Sequence, residues 1–292
     1  MLAGTPLAER RLVLDGVATA VLEGGDGPPL VLLHGGIECG GAYWAPVVGA
    51  LVDRFHLVVP DVPGLGESAP VDRLDPPRFA AWFGELLEQT GADRPTLVAH
   101  SLLGSMAARF AIDHSDRLGR LVVYGAPAVG PYRMPLALRV IAARFGLRPT
   151  PANGARFDRF ALLDRERTRG RDPEWFDAFS SYCCTQARRR SVGRTMRQLV
   201  ATQIRPIPAP DLRRISVPTA LLWGRADRMV PIAVAEHAST VAGWPVHVVD
   251  GAAHVPHMEQ PARFVRTLVD AMAPAGDRPS ATTNTTQETE SR

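Results

Sequence analysis

Short runs of apolar residues recur along the chain, and most of them end in glycine or another turn residue. Continuous apolar runs of this kind are typical of strands that are buried in a parallel sheet. Such runs occupy residues 28–36, 56–64, 95–101, 120–127, 218–224 and 245–251. The segment 10–24 instead alternates and turns at Asp15-Gly16, which predicts an antiparallel hairpin at a sheet edge.

Segments with helical spacing separate these strands. They occupy residues 42–54, 77–91, 103–113, 231–243 and 259–272. Strands that alternate with helices in this way predict an α/β fold, a mostly parallel eight-stranded sheet with helices on both faces.

The alternation stops between Gly130 and Pro210, where helical pieces are separated by proline-containing breaks. We therefore expect a helical cap over residues 130–210, inserted into a core made of residues 1–129 and 211–275. The last residues, 276–292, are polar and poor in aromatic side chains, so we expect a disordered tail.

Charge is distributed unevenly between the predicted core and the predicted cap. The 292 residues carry a net charge of +3, which by itself favours no particular partner, and all 33 basic residues are arginine. Sixteen arginines and six acidic residues fall in 130–210, a net charge of +10. Two hypotheses follow: a solvated basic surface, or arginines on the inner face of the cap that attract an acidic substrate. No recognisable nucleic-acid-binding module accompanies them, so we expect no nucleic-acid partner.

The remaining composition points to a cytoplasmic enzyme. The N-terminus lacks the long apolar core of a signal peptide, and no stretch approaches 18 uninterrupted apolar residues, so no membrane partner is expected. Three cysteines make neither a disulfide framework nor a metal spacing. We expect no cofactor and a small-molecule substrate, and the sequence leaves a homodimer open.

Three candidate catalytic residues follow predicted strands, at the ends where sites form in parallel sheets. Ser101 follows the strand at 95–100, Asp227 the strand at 218–224, and His254 the strand at 245–251. A serine hydroxyl needs a base to become a nucleophile, and histidine can accept and return that proton. A carboxylate behind the ring fixes its tautomer and stabilises the imidazolium.

Negative charge that develops on the substrate oxygen also needs hydrogen-bond donors to stabilise it. The glycine-rich loop "HGGIECGG" (34–41) should lie beside the Ser101 turn, so the N–H groups of Gly36 and Leu102 are the candidate oxyanion hole. The positive end of the helix after Ser101 also points there.

Each candidate has a rival interpretation. Ser101 could simply cap a helix. Asp250 competes with Asp227 but lies inside a strand end, and His257 competes with His254 but lies farther from its strand.

Four other polar residues receive structural roles. We expect His34 and His100 to be structural residues beneath the loop, and Asp61 and Glu67 to stabilise a loop by hydrogen bonds to backbone amides.

Five segments together resemble the α/β-hydrolase superfamily, in the branch with a helical cap after the sixth strand. They are "LLHGG" (32–36), "VVPDVPGLGES" (58–68), "LVAHSLLG" (97–104), "LLWGRADRMVP" (221–231) and "GAAHVPHMEQP" (251–261). The resemblance covers about residues 10–275 and implies Ser101 as nucleophile, Asp227 as acid and His254 as base. A serine nucleophile argues against the dehalogenase and epoxide-hydrolase branches.

The turn around Ser101 departs from the family's Gly-x-Ser-x-Gly pattern, because Ala99 and Leu103 stand where glycines are usual. We expect the turn to form nevertheless, with Gly104 relieving the helix packing and Leu103 altering the wall beside the nucleophile.

The predicted function is a serine hydrolase that cleaves an ester-like carbonyl bond through an acyl-enzyme. One alternative is a carbon–carbon bond hydrolase for dienoic keto-acids, although "HVPH" (254–257) lacks the tryptophan often found after the histidine of such enzymes. Another is a slow-turnover ligand-binding or non-hydrolytic member of the fold.

Overall fold

The computed structural model of the chain describes residues 6–273. The predicted tail, 276–292, lies outside the described residues. Eight strands form one sheet, as predicted. They are β1 (Ala8–Leu14), β2 (Val17–Gly24), β3 (Pro29–Leu33), β4 (His56–Pro60), β5 (Thr96–His100), β6 (Arg120–Tyr124), β7 (Thr219–Gly224) and β8 (Val246–Val249).

The order of the strands creates the crevice in which a site can form. The sheet runs β1-β2-β4-β3-β5-β6-β7-β8. The hairpin of β1 and β2 is antiparallel and pairs antiparallel with β4, whereas all later neighbours are parallel. The chain reverses direction across the sheet at β3, since β4 lies on one side and β5 on the other. In parallel sheets, ligands bind at the carboxyl ends of strands beside such a reversal.

Twelve α-helices lie in the described part of the chain. They are α1 (Gly40–Val52), α2 (Pro76–Gln89), α3 (Ser101–His114), α4 (Leu136–Leu147), α5 (Pro151–Ala161), α6 (Arg165–Arg171), α7 (Pro173–Arg188), α8 (Arg190–Gln203), α9 (Ala209–Arg214), α10 (Ala233–Ala242), α11 (Pro256–Glu259) and α12 (Pro261–Met272).

Both faces of the central strands are buried, which explains the continuous apolar runs in the sequence. Successive residues of a strand point to opposite faces. In β3, Leu30 and Leu32 pack in the layer that contains α1 and α12, and Val31 and Leu33 pack in the layer of α2, α3 and α10. All four side chains are fully buried.

The predicted helix at 259–272 begins two residues later than expected. It is α12, which starts at Pro261, and a short helix that the sequence did not predict, α11, ends just before it at Glu259. Pro261 disfavours helical backbone at the residue before it, and Gln260 is accordingly non-helical, with φ −141° and ψ 60°. This break turns the chain after the predicted histidine loop.

The chain between β6 and β7 is helical, and it contains α4 to α9. Helix α9, whose first residues fall in the predicted cap, packs against α3 and α10 beside the sheet. In residues 6–273, no helix is both long and apolar enough to cross a membrane.

Candidate active site

Ser101 occupies a sharp turn between a strand and a helix. It follows the last residue of β5 and is the first residue of α3. Its φ of 52° lies in the left-handed region, which residues other than glycine seldom adopt. This backbone directs the side chain out of the carboxyl edge of the sheet, as expected of a nucleophile elbow. A serine that merely capped α3 would have extended backbone, so the strained turn favours the catalytic interpretation.

Gly104 makes the close contact between helix and strand that is usually made by a glycine two residues after the serine. A Cβ atom on Gly104 would lie 2.8 Å from the carbonyl oxygen of Ala99 and 3.1 Å from Cβ of Ala126. No side chain fits there, so α3 can pack against β5 only because residue 104 is glycine. Leu103 is fully buried in the apolar layer of α2 and α3. The bulk at position 103 is therefore accommodated in the core.

The three predicted catalytic residues form one chain of hydrogen bonds. Nε2 of His254 lies 3.1 Å from Oγ of Ser101, and Nδ1 of His254 lies 2.8 Å from Oδ2 of Asp227. The histidine and aspartate are buried, whereas Ser101 is half-buried and therefore accessible. A ring whose Nδ1–H is held by the carboxylate presents its Nε2 lone pair to the serine hydroxyl.

The turn after β7 fixes the Asp227 carboxylate. Its Oδ1 accepts hydrogen bonds from the backbone N–H groups of Met229, at 2.8 Å, and Val230, at 2.9 Å. Oδ2 is thereby left to face His254. The rival Asp250 is exposed and pairs with Arg225 instead.

His257, the rival of His254, is fully buried and faces the core. Its Nδ1 lies 3.3 Å from the Tyr124 hydroxyl, and its ring packs 5.0 Å from that of Trp44. Burial lowers the pKa of His257 to about 3. It is therefore a neutral core residue.

His100 lies behind the candidate base and holds its backbone. Burial, reinforced by the neighbouring histidines, lowers the pKa of His100 well below the ordinary value. The neutral ring donates from Nε2 to the carbonyl oxygen of His254, at 2.9 Å, and its Nδ1 accepts from the Tyr43 hydroxyl. The expected structural role of His100 is thus more specific: it positions the loop that carries His254.

The predicted oxyanion donors lie on neighbouring strands. Gly36 follows β3, Leu102 is the second residue of α3, and β3 pairs directly with β5. Gly36 is buried under the α8 side chain Met196, whose Cε would lie 3.4 Å from a Cβ on Gly36. The fold thus brings both predicted donors to the same edge of the sheet as Ser101.

The Glu38 side chain folds over Gly36, which the sequence did not predict. Its Oε2 would lie 3.5 Å from a Cβ on Gly36. That oxygen is sealed from solvent and has no hydrogen-bond partner among the described residues. Burial raises the pKa of Glu38. A carboxyl group therefore lies beside one of the two predicted oxyanion donors.

Two other predicted loop residues lie where expected. Nε2 of His34 accepts from the Val62 N–H at 3.3 Å, and burial lowers the pKa of His34 to about 4. Asp61 accepts from the N–H groups of Gly40, at 2.6 Å, and Glu67, at 2.7 Å. Burial raises the pKa of Asp61 to about 6.

The prediction for Glu67 was wrong. Its carboxylate binds cap side chains, accepting from the Tyr182 hydroxyl at 2.8 Å and from Nε2 of Gln186 at 3.0 Å. Both partners are on α7, so Glu67 joins the core loop to the cap. Residues this distant in sequence could not be paired from spacing alone.

The end of α5 is bonded to both loops that carry the candidate base and acid. The His254 N–H donates to the Ala161 carbonyl at 3.0 Å. Nη2 of Arg228, next to Asp227, donates to the carbonyls of Arg159 and Leu162 at 2.7 Å each. The predicted cap therefore contacts the loops that carry the candidate acid and base.

Glu259 also joins the predicted cap to the loop that carries His254. Its buried carboxylate accepts from the N–H of Ala253, in the base loop, and from the N–H of Leu163, in the cap. Burial raises the pKa of Glu259, and these two amides oppose the rise. Glu259 is a positioning residue that the sequence alone did not reveal.

We expect Gly125→Ala to impair both stability and catalysis. Gly125 follows β6 with a φ of 58°, and an added Cβ would lie 2.9 Å from Nε2 of His100 and 3.0 Å from Cε1 of His254. Alanine in the left-handed conformation should lower the free energy of unfolding by ~1 kcal/mol or more. Displacement of His254 should lower kcat/KM. Urea unfolding and ester kinetics measure the two effects.

The matched control is Gly49→Ala in α1. Nothing lies within 4 Å of a Cβ at Gly49, so this variant should be neutral or stabilised by up to ~1 kcal/mol. Equal behaviour of the two variants would contradict the contact at Gly125.

No group of three or more His, Cys, Asp or Glu side chains in residues 6–273 is arranged to hold a metal ion. The cysteines Cys39, Cys183 and Cys184 are free thiols. Burial raises the pKa of Cys39 to about 11. A thiol of this kind stays protonated at neutral pH and is a poor nucleophile, so the reactive candidate in the site is Ser101.

The chain is similar to known hydrolases over most of its length. Residues 30–267 match the model of the alpha/beta hydrolase family. The pimeloyl-[acyl-carrier protein] methyl ester esterase of Vibrio atlanticus (strain LGP32) is 30% identical over 268 residues, 84% of this chain and 94% of that protein. The 2-hydroxy-6-oxo-6-phenylhexa-2,4-dienoate hydrolase of Comamonas testosteroni is 27% identical over 271 residues, 85% of this chain and 88% of that protein.

The fold is shared with a solved structure. The 2-hydroxy-6-oxo-6-phenylhexa-2,4-dienoate hydrolase from Rhodococcus sp. strain RHA1 superposes with a TM-score of 0.79 at 20% sequence identity. The match covers 91% of this chain and 98% of that chain.

Proposed function

This chain belongs to the alpha/beta hydrolase family and is an α/β-fold hydrolase, and on that premise we propose that it is a serine esterase for small organic esters. The observation that carries the proposal is the hydrogen-bonded chain from Ser101 through His254 to Asp227, with distances of 3.1 and 2.8 Å. The same three groups perform acyl transfer on unrelated folds because their geometry, not their sequence position, activates the serine.

The proposed reaction begins with attack of Ser101 Oγ on the ester carbonyl carbon while His254 Nε2 accepts the hydroxyl proton. The oxyanion that forms is held by the N–H groups of Gly36 and Leu102. Collapse breaks the ester C–O bond, and the imidazolium returns its proton to the leaving alkoxide. Water then attacks the acyl-serine with His254 as base, which releases the acid and regenerates Ser101.

An ester substrate is supported by the relative that is named a methyl ester esterase, at 30% identity over 94% of its length. A burst experiment tests the proposal. Mixed with a p-nitrophenyl ester, the protein should release about one equivalent of nitrophenol rapidly before steady turnover, because the acyl-enzyme accumulates. A ligand-binding member of the fold would show neither burst nor turnover, and that result would contradict the proposal.

Carbon–carbon bond hydrolysis of dienoic keto-acids is the second candidate. It is favoured by the relative named 2-hydroxy-6-oxo-6-phenylhexa-2,4-dienoate hydrolase. Measuring kcat/KM for that compound and for short-chain esters on the same preparation separates the two. A preference for the dienoate would overturn the esterase proposal and leave the proposed triad intact.

The cap arginines lie mostly on the surface. Fourteen of the sixteen arginines in residues 130–210 are exposed, and the other two, Arg165 and Arg169, are half-buried and paired with carboxylates. Burial therefore supports the hypothesis of a solvated basic surface. An acidic substrate would be attracted only at long range.

Salt dependence tests whether that attraction matters. If it does, kcat/KM for a carboxylate-bearing ester should fall about tenfold between 0.01 and 1 M salt, because the screening length shrinks from ~30 to ~3 Å. A neutral ester of similar size should not respond. An equal response of both esters would contradict the idea of an acidic substrate.

A further inference from the structure

Helix α4 of the cap exposes a stripe of large apolar side chains. Leu136, Val140 and Leu147 are 72%, 58% and 83% exposed, and they are three of the five large hydrophobic residues that are exposed in residues 6–273. Isolated exposed apolar residues are ordinary, but several on one face of one helix mark a contact surface. We call these three residues the α4 stripe.

Helical geometry places the α4 stripe opposite the buried face of the helix. At about 100° per residue, Leu136, Val140 and Leu147 fall within about 40° of one another. The two buried residues of α4, Leu138 and Phe145, lie about 180° away from the stripe. The helix is thus apolar on two opposite sides. One side packs against the cap, and the other faces outward.

The charges around the α4 stripe have one sign. Arg139 and Arg144 lie about 70° to either side of the stripe, and both are exposed. Arg133 and Arg148 lie just beyond the ends of α4, and residues 131–157 contain no aspartate or glutamate. The surface therefore combines an apolar centre with a basic border.

We propose that the α4 stripe and its arginines form a docking surface for anionic lipid bilayers. A helix that lies in a membrane interface buries aliphatic side chains at the level of the acyl chains and extends arginines to the headgroup phosphates. Anionic headgroups supply the charge that the basic border lacks. The prediction of no membrane partner rested on the lack of a spanning segment. A helix that lies on the membrane surface needs no such segment, so that criterion does not apply to it.

Other occupants match the surface less well. A second copy docked about a two-fold axis would bring together the arginines that flank the α4 stripe in each copy. No carboxylate in residues 131–157 would offset their repulsion. A purely acidic ligand would pair with the arginines but leave the α4 stripe uncovered.

Vesicle co-sedimentation of the full chain tests the proposal. Vesicles of equal parts phosphatidylglycerol and phosphatidylcholine should bind the protein at least tenfold more tightly than vesicles of phosphatidylcholine alone. The variant Leu136→Ser/Val140→Ser/Leu147→Ser and the variant Arg139→Gln/Arg144→Gln should each weaken that binding about tenfold or more. Val13→Ser, which alters a 64% exposed valine on β1, is the matched control and should bind as the wild type.

Three results would overturn the proposal. These are no binding of wild type to the anionic vesicles, binding that the serine triple variant does not weaken, or a concentration-dependent dimer in light scattering that this variant abolishes. Polyglutamate provides a further control: the triple variant keeps the arginines and should bind polyglutamate as the wild type does, and an equal loss of polyglutamate and vesicle binding would contradict a separate role for the α4 stripe. Hydrolysis of a water-soluble ester should be unchanged in every variant, so vesicle binding and the proposed esterase activity are tested separately.

Discussion

Replacing Ser101 by alanine is expected to abolish ester hydrolysis and labelling by a fluorophosphonate probe. The hydroxyl is the only protein group that bonds to the acyl carbon in the proposed mechanism, and its removal in other triads costs up to about a millionfold in kcat. The wild-type protein should be labelled with one equivalent of probe. Because alanine keeps the Cβ and the left-handed turn at φ 52°, the folded stability should change little.

Ser105→Ala is the matched control in the same helix. Its Oγ accepts the Ala128 N–H at 3.1 Å in the core, so its loss should lower the free energy of unfolding by ~1–3 kcal/mol. Probe labelling should remain. Residual turnover of Ser101→Ala near the wild-type rate would refute the role of Ser101, whatever the substrate.

Asp227→Asn should lower kcat by about ten-thousandfold at neutral pH, the scale of this change in another triad. The Asn oxygen can still accept the N–H groups of Met229 and Val230, which hold Oδ1 in the wild type. The amide NH₂ would then face Nδ1 of His254 and require that nitrogen to accept. The ring would carry its proton on Nε2 and could no longer take one from Ser101.

Two observations make this experiment decisive. Asp250→Asn, which alters the exposed rival paired with Arg225, should retain wild-type kcat. Fluorophosphonate labelling of Asp227→Asn should be slowed in parallel with kcat, since both reactions need the activated hydroxyl. Equal kcat values for the two asparagine variants would rule out Asp227 as the triad acid.

Much of the fold was predictable because burial of the central strands on both faces leaves a local signature. Strands such as β3 and β5 are short apolar runs that end in turn residues, and each matched its predicted segment within a few residues. Ser101, Asp227 and His254 could be selected as candidates for the same reason: each follows such a run. The bulky Leu103 did not prevent the turn, because Gly104 takes the close contact.

The supporting residues could not be predicted, because their partners are far away in sequence. Glu259 binds a cap amide 96 residues before it, and His100 binds a carbonyl 154 residues after it. Nothing local to either residue specifies these contacts. Glu38 illustrates the same limit, since its sequence neighbours do not reveal that its carboxyl turns back over Gly36.

Hydrogen bonds join the predicted cap to the loop that carries His254. They link the position of the cap over the site to the orientation of the histidine. His254 is held by Ala161 through its own N–H, and Glu259 bridges Ala253 to Leu163. Any movement that lifts this end of α5 from the core must break these bonds and release the loop that orients the histidine. We therefore expect an open molecule to exchange ligands without hydrolysing them, so that each turnover requires the cap to settle before the serine becomes reactive.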